Sequence, residues 1–220
     1  MIRRVIVVVD SSERAARAVR EASRVAGHFD VDLEGVLLED EALLRLAGQP
    51  FARRFGVGPE RGFEPEEIER EWRAIAARAR EVVERELRAF RVERGPASGL
   101  FSRFVEGDVA LIGWGGSSPR AARRAPVRVL FDGSPAAERA LGVGEALAER
   151  GAKLEVWLVP GAERAQASRR MIDVRAATVR RAVAESPGGL LLVPRGSALS
   201  DRLGERSVAT RFPCSVLIVS

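Results

Sequence analysis

An apolar strand that runs directly into an aspartate, with a serine two residues further on, occurs twice in this chain of 220 residues. The first strand is continuously apolar, which is typical of a strand buried on both faces of a parallel sheet. Helix-spaced apolar residues follow each serine, so each copy predicts a strand-helix-strand unit with a right-handed crossover. The two copies are Val5–Val9 with Asp10 and Ser12, and Val127–Phe131 with Asp132 and Ser134.

Strand and helix patterns alternate through the rest of the chain. After the opening strand at 4–9, the periodicity predicts strands at 33–38, 90–93, 109–112, 127–131, 154–159, 171–175, 190–193 and 216–219. Helices are predicted at 15–27, 97–105, 136–150, 177–185 and 199–211, together with a long helix from Pro65 whose apolar stripe continues to Phe90. Glycine and proline between 42 and 62 predict a flexible insert with a short helix at 43–47.

This alternation predicts the α/β class, as two tandem repeats with mainly parallel sheets flanked by helices. A chain of 220 residues can hold two small domains, and we place them at 1–124 and 125–220. The first contains the insert at 42–65.

Composition excludes several classes of protein. The apolar content of 46% and the charged content of 30% are those of a globular chain, and no apolar run reaches the roughly 20 residues of a membrane span. The apolar stretch near the start is too short for a secretory signal, so we expect a cytoplasmic protein. With a single cysteine and a single histidine, neither an internal disulfide nor a Cys/His zinc site is expected, and we predict no metal site.

The basic character reflects arginine. Lysine and arginine together number 36 against 31 acidic residues, and Lys153 is the only lysine. Asparagine and tyrosine are absent, and a GC-rich coding sequence explains all of these biases. The net charge of +5 is spread along the chain, and no known nucleic-acid-binding motif accompanies it, so we expect no nucleic-acid binding. An arginine-rich nucleic-acid-binding protein is the least favoured interpretation.

The Asp-x-Ser turns, together with the ending Phe212-Pro213-Cys214-Ser215 before a final apolar strand, resemble a tandem universal stress protein. That resemblance covers nearly the whole chain and implies five-stranded parallel α/β domains. Compared with that pattern, the domain at 1–124 lacks its closing helix and strand, and the domain at 125–220 is shortened between its second and third strands. It also implies a loop G-x2-G-x9-G-[S/T] after the fourth strand, which in nucleotide-binding members holds phosphate while the first aspartate lies beside the adenosine. ATP or AMP is the ligand that the resemblance implies, although no cofactor is certain.

The match to that loop is partial in both halves. In the first half, Gly113-Trp114-Gly115-Gly116 satisfies G-x2-G, but Pro126-Val127 stands where the family has Gly-Ser. In the second half, the pattern reads Val193-Pro194-Arg195-Gly196 and later Arg206-Ser207, so two glycines are replaced. Val193 and Arg206 stand where the family has glycine, and we expect the arginine either to block a phosphate site or to bind phosphate itself. The candidate nucleotide-binding residues are Asp10, Gly113, Gly115, Gly116, Ser117, Asp132, Gly196 and Ser207.

Structural roles compete with these assignments. Asp10 and Asp132 could simply cap helices, the loop 113–118 could be a linker, and Ser207 could lie on a helix surface. Glu39, Asp40 and Glu41 could hold magnesium in the presence of nucleotide, but charged strand ends are common.

No catalytic arrangement is visible in the sequence. The sequence contains no G-x-S-x-G nucleophile elbow whose serine could pair with His28, and no glycine-rich loop precedes Lys153. We therefore predict no enzymatic activity beyond, at most, weak ATP hydrolysis, and no catalytic residues.

Two functions stay open. One is a universal-stress-type regulatory protein of the stress response that binds an adenine nucleotide weakly in one half. The other is a degenerate module that binds no nucleotide and recognises an unidentified protein partner.

For assembly, we expect a homodimer in which Val216–Val219 pairs across a twofold axis, because an apolar terminal strand needs a partner. In the competing arrangement this strand docks against the first half.

Overall fold

The structure is a computed structural model. It describes residues 2–9, 15–39, 45–46, 49, 53–54, 61–62, 65–83, 89–95, 97–112, 126–148, 151–159, 189–205 and 214–220. The predicted strand at 171–175, the predicted helix at 177–185 and the boundary between residues 124 and 125 lie outside these residues.

The first half alternates strands and helices as its sequence pattern predicts. Helix α1 presents small and β-branched residues at helical spacing to the sheet, among them Ala18, Val19 and Ala22. Helix α2 begins with a proline and two glutamates, which suit a first helical turn. The elements are β1 (Arg4–Val9), α1 (Ala15–Phe29), β2 (Asp32–Glu39), β3 (Arg53–Arg54), β4 (Arg61–Gly62), α2 (Pro65–Val83), β5 (Ala89–Arg94), α3 (Ala97–Ser102) and β6 (Asp108–Ile112).

The second half repeats the opening order of strand, helix and strand. Its strands are short and almost wholly buried, in agreement with their apolar sequences. The elements are β7 (Val127–Phe131), α4 (Pro135–Ala148), β8 (Leu154–Leu158), β9 (Leu190–Pro194), α5 (Ala198–Glu205) and β10 (Ser215–Val219).

Eight strands form one sheet in the order β5-β2-β1-β6-β10-β9-β7-β8. All neighbours are parallel except β6 and β10, which pair antiparallel with Val216 opposite Ile112 and Val219 opposite Val109. The described structure is therefore an α/β fold with a mostly parallel sheet flanked by helices, as the sequence predicts. The antiparallel pair reverses the strand direction between the two halves.

Strand β10 lies between β6 and β9, so both of its edges are paired inside the chain. The expected pairing of Val216–Val219 across a twofold axis is wrong in this structure, because the strand has no free edge to offer a second copy. The competing arrangement, in which the strand docks against the first half, is the one observed.

The core has one layer on each face of the sheet, because successive strand residues point to opposite faces. In β1, for example, Val5, Val7 and Val9 belong to the layer beneath α1 and α4, while Ile6 and Val8 belong to the layer beneath α3 and α5. Each of these five side chains is at most 1% exposed, so β1 is buried on both faces.

Some boundaries differ from the sequence prediction. Phe90, predicted to end the apolar stripe of the long helix, lies in β5, and α2 ends at Val83. Within the predicted insert, Arg53–Arg54 and Arg61–Gly62 pair as an antiparallel two-stranded sheet. Among the described helices, none is long and apolar enough to cross a membrane.

Candidate functional site

Each half contains a point where the strand order reverses direction. From β1 the chain moves outward to β2 and β5, then returns to β6 on the other side of β1; from β7 it moves to β8, then to β9 on the other side of β7. Ligands of open α/β sheets bind at the carboxyl ends of the strands beside such a point. We call these places the first carboxyl edge (β1 and β6) and the second carboxyl edge (β7 and β9). Because the halves run antiparallel, they lie at opposite ends of the strands.

At the first carboxyl edge the two strands end side by side. Val8 is opposite Ile112, and both are 3% exposed or less. The candidate residues of this half follow these strand ends directly in sequence. Asp10, Gly113, Gly115, Gly116 and Ser117 lie outside the described residues.

At the second carboxyl edge, Asp132 holds the turn that leads into α4. Its Oδ1 accepts a hydrogen bond from the main-chain N–H of Ser134 at 3.0 Å. Gly133, between them, has a φ of 80°, a conformation that favours glycine. The helix cap is Ser134 rather than Asp132, because the Ser134 hydroxyl accepts from the N–H of Ala137 at 3.1 Å. Capping by Asp132, the structural alternative considered for it, is therefore wrong.

The neighbouring turn after β9 is built in a related way. Gly196 is exposed and has a φ of 79°, so its side-chain-free backbone makes the turn possible. Ser197 is buried and caps α5 by accepting from the N–H of Ser200 at 3.3 Å. Ser207, the last candidate of this half, lies outside the described residues.

Arg195, next to this turn, reaches across to the first half. Its Nη1 donates to the carbonyl of Phe104 and, at 3.2 Å, to the hydroxyl of Ser220, and its Nη2 donates to the carbonyl of Ser102 at 3.1 Å. Three donors of the guanidinium are thereby committed to acceptors within the protein. These contacts hold the Arg195 side chain at the second carboxyl edge, whereas Arg206, the arginine expected either to block or to bind phosphate, lies outside the described residues.

A second arginine fixes the same end of β10. Arg139 of α4 donates from Nε to the main-chain oxygen of Ser220 at 2.9 Å, and that oxygen also accepts from the N–H of Gly107 at 3.3 Å. Ser220 in turn donates its N–H to the carbonyl of Asp108 at 3.1 Å. We call Arg139, Arg195 and Ser220 the arginine clasp; it ties the second carboxyl edge to the first half.

The side chain of Asp108 is 1% exposed, and it anchors the start of β6. It accepts from Arg4 Nε at 3.0 Å and Nη2 at 2.7 Å, and from the N–H of Val105 at 3.1 Å. Burial by itself raises the pKa of Asp108, but the hydrogen bonds from Arg4 and Val105 and the charges of Arg4 and Arg3 outweigh it. The pKa therefore lies below its ordinary value of 3.8.

The acidic cluster at the end of β2 shows a structural role for its described member. Glu39 is 6% exposed, and its Oε2 accepts from Arg94 Nε at 2.8 Å. Asp40 and Glu41 lie outside the described residues. Where side chains are described, no three acidic, histidine or cysteine residues cluster so as to hold a metal ion.

Sequence reasoning singled out Asp132 and Gly196, and the register of β7 with β9 brings them to one edge of the sheet. It missed Arg139, Arg195, Ser220 and the Arg4–Asp108 pair. Arg139 is one of several charged residues in α4, and its partner is 81 positions away in the sequence. No local pattern signals such a contact.

Similarity to known proteins is found for the structure and not for the sequence. No protein-family profile matches the sequence. No curated protein matches it either. The structure is similar to the crystal structure of a universal stress protein from Archaeoglobus fulgidus DSM 4304, with a TM-score of 0.53 and 13% sequence identity over 99% of this chain and 96% of that chain. The fold is therefore that of a universal stress protein, extended over essentially the full length of both chains.

Proposed function

We propose that this chain is a cytoplasmic regulatory module of the universal stress type that binds an adenine nucleotide weakly at the first carboxyl edge. The observation that carries the proposal is the reversal of strand order between β1 and β6, whose buried ends lead directly to Asp10 and Gly113. An open α/β sheet offers a ligand crevice at this point. The glycines at 113, 115 and 116 supply main-chain N–H groups that can approach a phosphate closely.

The arginine clasp supports confinement of the nucleotide to the first half. At the second carboxyl edge, the guanidinium of Arg195 already binds the carbonyls of Ser102 and Phe104. The carboxylate of Asp132 is engaged with the N–H of Ser134. A ligand there would have to displace contacts that join the two halves, so we assign it no nucleotide.

Weak binding follows from the incomplete loop. The family pattern closes with Gly-Ser, where this chain has Pro126 and Val127. Pro126 has no N–H to donate, and Val127 lies in β7, where its N–H bonds the carbonyl of Lys153 at 2.9 Å. Part of the phosphate contact is therefore missing, and we expect a dissociation constant on the order of 0.1 mM, about 5 kcal/mol of binding free energy.

The second candidate is a module that binds no nucleotide and recognises a protein. The observation that favours it is the same clasp, which shows that one carboxyl edge of this fold already serves contact between protein segments. In this reading the first carboxyl edge likewise carries no ligand, and the sheet is a scaffold.

Calorimetric titration with ATP and with AMP distinguishes the two candidates. We expect one weak site per chain, abolished in the double variant Asp10→Ala, Gly116→Val and retained in Asp132→Ala, the matched control at the second carboxyl edge. Two tight sites per chain, or binding that survives the double variant, would overturn the first proposal. Absence of heat with both nucleotides would favour the module that binds no nucleotide.

A further inference from the structure

Strand β5 is the end strand of the sheet. In the part of the chain that the structure describes, it pairs with β2 alone, so its other edge faces no strand. The N–H of Gly95 points toward β2, because it donates to the carbonyl of Glu39 at 3.0 Å. Main-chain groups alternate in direction along a strand. The N–H and C=O groups of Phe90, Val92 and Arg94 therefore point outward, away from β2.

The side chains along this edge are self-complementary. Val92 is 40% exposed and is one of three large apolar residues that are exposed in the described structure. It stands between Arg91 and Glu93, whose side chains share one face of the sheet. If two copies of this strand run antiparallel about Val92, the arginine of each copy lies opposite the glutamate of the other.

We infer that a second copy of this chain docks on β5, antiparallel, with the twofold axis at Val92. In this register Val92 lies opposite Val92 of the other copy, and Phe90 lies opposite Arg94. These are the outward-pointing residues, so each exchanges two main-chain hydrogen bonds with its opposite residue. The twofold axis at Val92 closes the assembly as a dimer.

Charge selects this register over the alternatives. In the parallel, in-register arrangement, Arg91 would face arginine and Glu93 would face glutamate, and like charges directly opposite are destabilising. Charged residues on an edge strand usually prevent pairing with other chains. Here their order, arginine then valine then glutamate, makes antiparallel self-pairing favourable instead.

An existing row of ion pairs leads to this edge. Glu34 of β2 binds Arg4 at 3.0 Å and also binds Arg91, and Glu93 binds Arg91 at 2.6 Å and also binds Arg103. Charges therefore alternate in sign along the row as far as β5. Pairing about Val92 continues that alternation into the second copy, so no charged group becomes buried without a partner.

Light scattering and sedimentation velocity on the full chain, from about 1 to about 500 µM, test the inference because dimer formation depends on concentration. We expect dimers at high concentration that Val92→Lys weakens at least about tenfold, since two ammonium groups would meet at the axis. The matched control is Val105→Lys, which changes another exposed valine away from the edge and leaves dimerisation unchanged. A monomer throughout, or equal dimerisation of wild type and Val92→Lys, would overturn the inference.

Val92→Pro gives a second test that keeps the pairing with β2 intact. Proline is tolerated in an edge strand where the lost N–H faces outward. We expect a monomer in sedimentation velocity, and circular dichroism checks that the variant is folded.

Amide hydrogen exchange of the wild type adds residue resolution. The amide of Val92 should become protected only at concentrations where the dimer forms, whereas those of Arg91 and Glu93 are protected at all concentrations by β2. Concentration-independent exchange at Val92, or a dimer of Val92→Pro, would refute the docking of a second copy on β5.

Discussion

Removal of the Arg195 guanidinium tests how the two halves are held together. In Arg195→Met the side chain keeps most of its apolar length but loses the hydrogen bonds to Ser102, Phe104 and Ser220. A hydrogen bond contributes about 1 kcal/mol net, and more when one partner is charged. Because the guanidinium is only part-buried, we take the low figure for each of the three bonds and expect a loss of about 2–3 kcal/mol in the free energy of unfolding.

Urea denaturation of wild type and variants measures this loss. The matched control is Arg73→Met on α2, since Arg73 also donates to a main-chain carbonyl, that of Glu69 at 3.2 Å, but within its own helix. Its exposed side chain should change stability by no more than about 0.5 kcal/mol. If Arg195→Met proved as mild as this control, the clasp would not hold the halves together, and the argument that it occupies the second carboxyl edge would fail.

Three further predictions concern packing, pH and charge. Gly144→Ala should lower the free energy of unfolding by about 1–2 kcal/mol, because the added Cβ would lie 2.6 Å from Val129 Cγ2. Gly142→Ala, on the same helix, adds a Cβ that meets nothing within 4 Å, so it should raise the free energy of unfolding by about 0.5–1 kcal/mol. Equal effects of the two substitutions in thermal denaturation would contradict this packing. Since the folded pKa of Asp108 is depressed, its contribution to stability is complete above the ordinary value of 3.8 and is lost as the pH falls through the folded pKa. The stabilities of wild type and Asp108→Asn should therefore converge only as the pH falls below 3.8, and a constant difference would refute this. In a gel shift at physiological salt we expect no specific nucleic-acid complex, and sub-micromolar affinity would overturn that expectation.

The strands could be predicted because their residues carry the signal locally. Val5–Val9 and Leu190–Val193 are continuously apolar, which indicates burial on both faces, and the structure confirms it. The α/β class followed from their alternation with helix-spaced segments. The apolar stripe of α2 is predictable for the same reason. The predicted stripe extends beyond the helix, because Phe90 continues the apolar spacing while lying in the next strand.

The partner of β10 could not be predicted from local pattern. Its sequence specifies a buried strand, and any strand edge with apolar neighbours would satisfy it. The pairing with β6 joins positions about a hundred residues apart, Val216 with Ile112. The clasp was hidden for the same reason, because the acceptors of Arg195 are mostly main-chain carbonyls, which every residue carries.

Mapping of amide chemical shifts during titration with ATP tests the central proposal most directly, because it reports where the nucleotide binds as well as whether it binds. The amides of Val9 and Ile112, at the first carboxyl edge, should shift with a weak, saturable dependence on ATP, while those of Ser134 and Ser197, at the second carboxyl edge, stay unchanged. Shifts concentrated at Ser134 and Ser197, or no shifts at millimolar ATP, would contradict it.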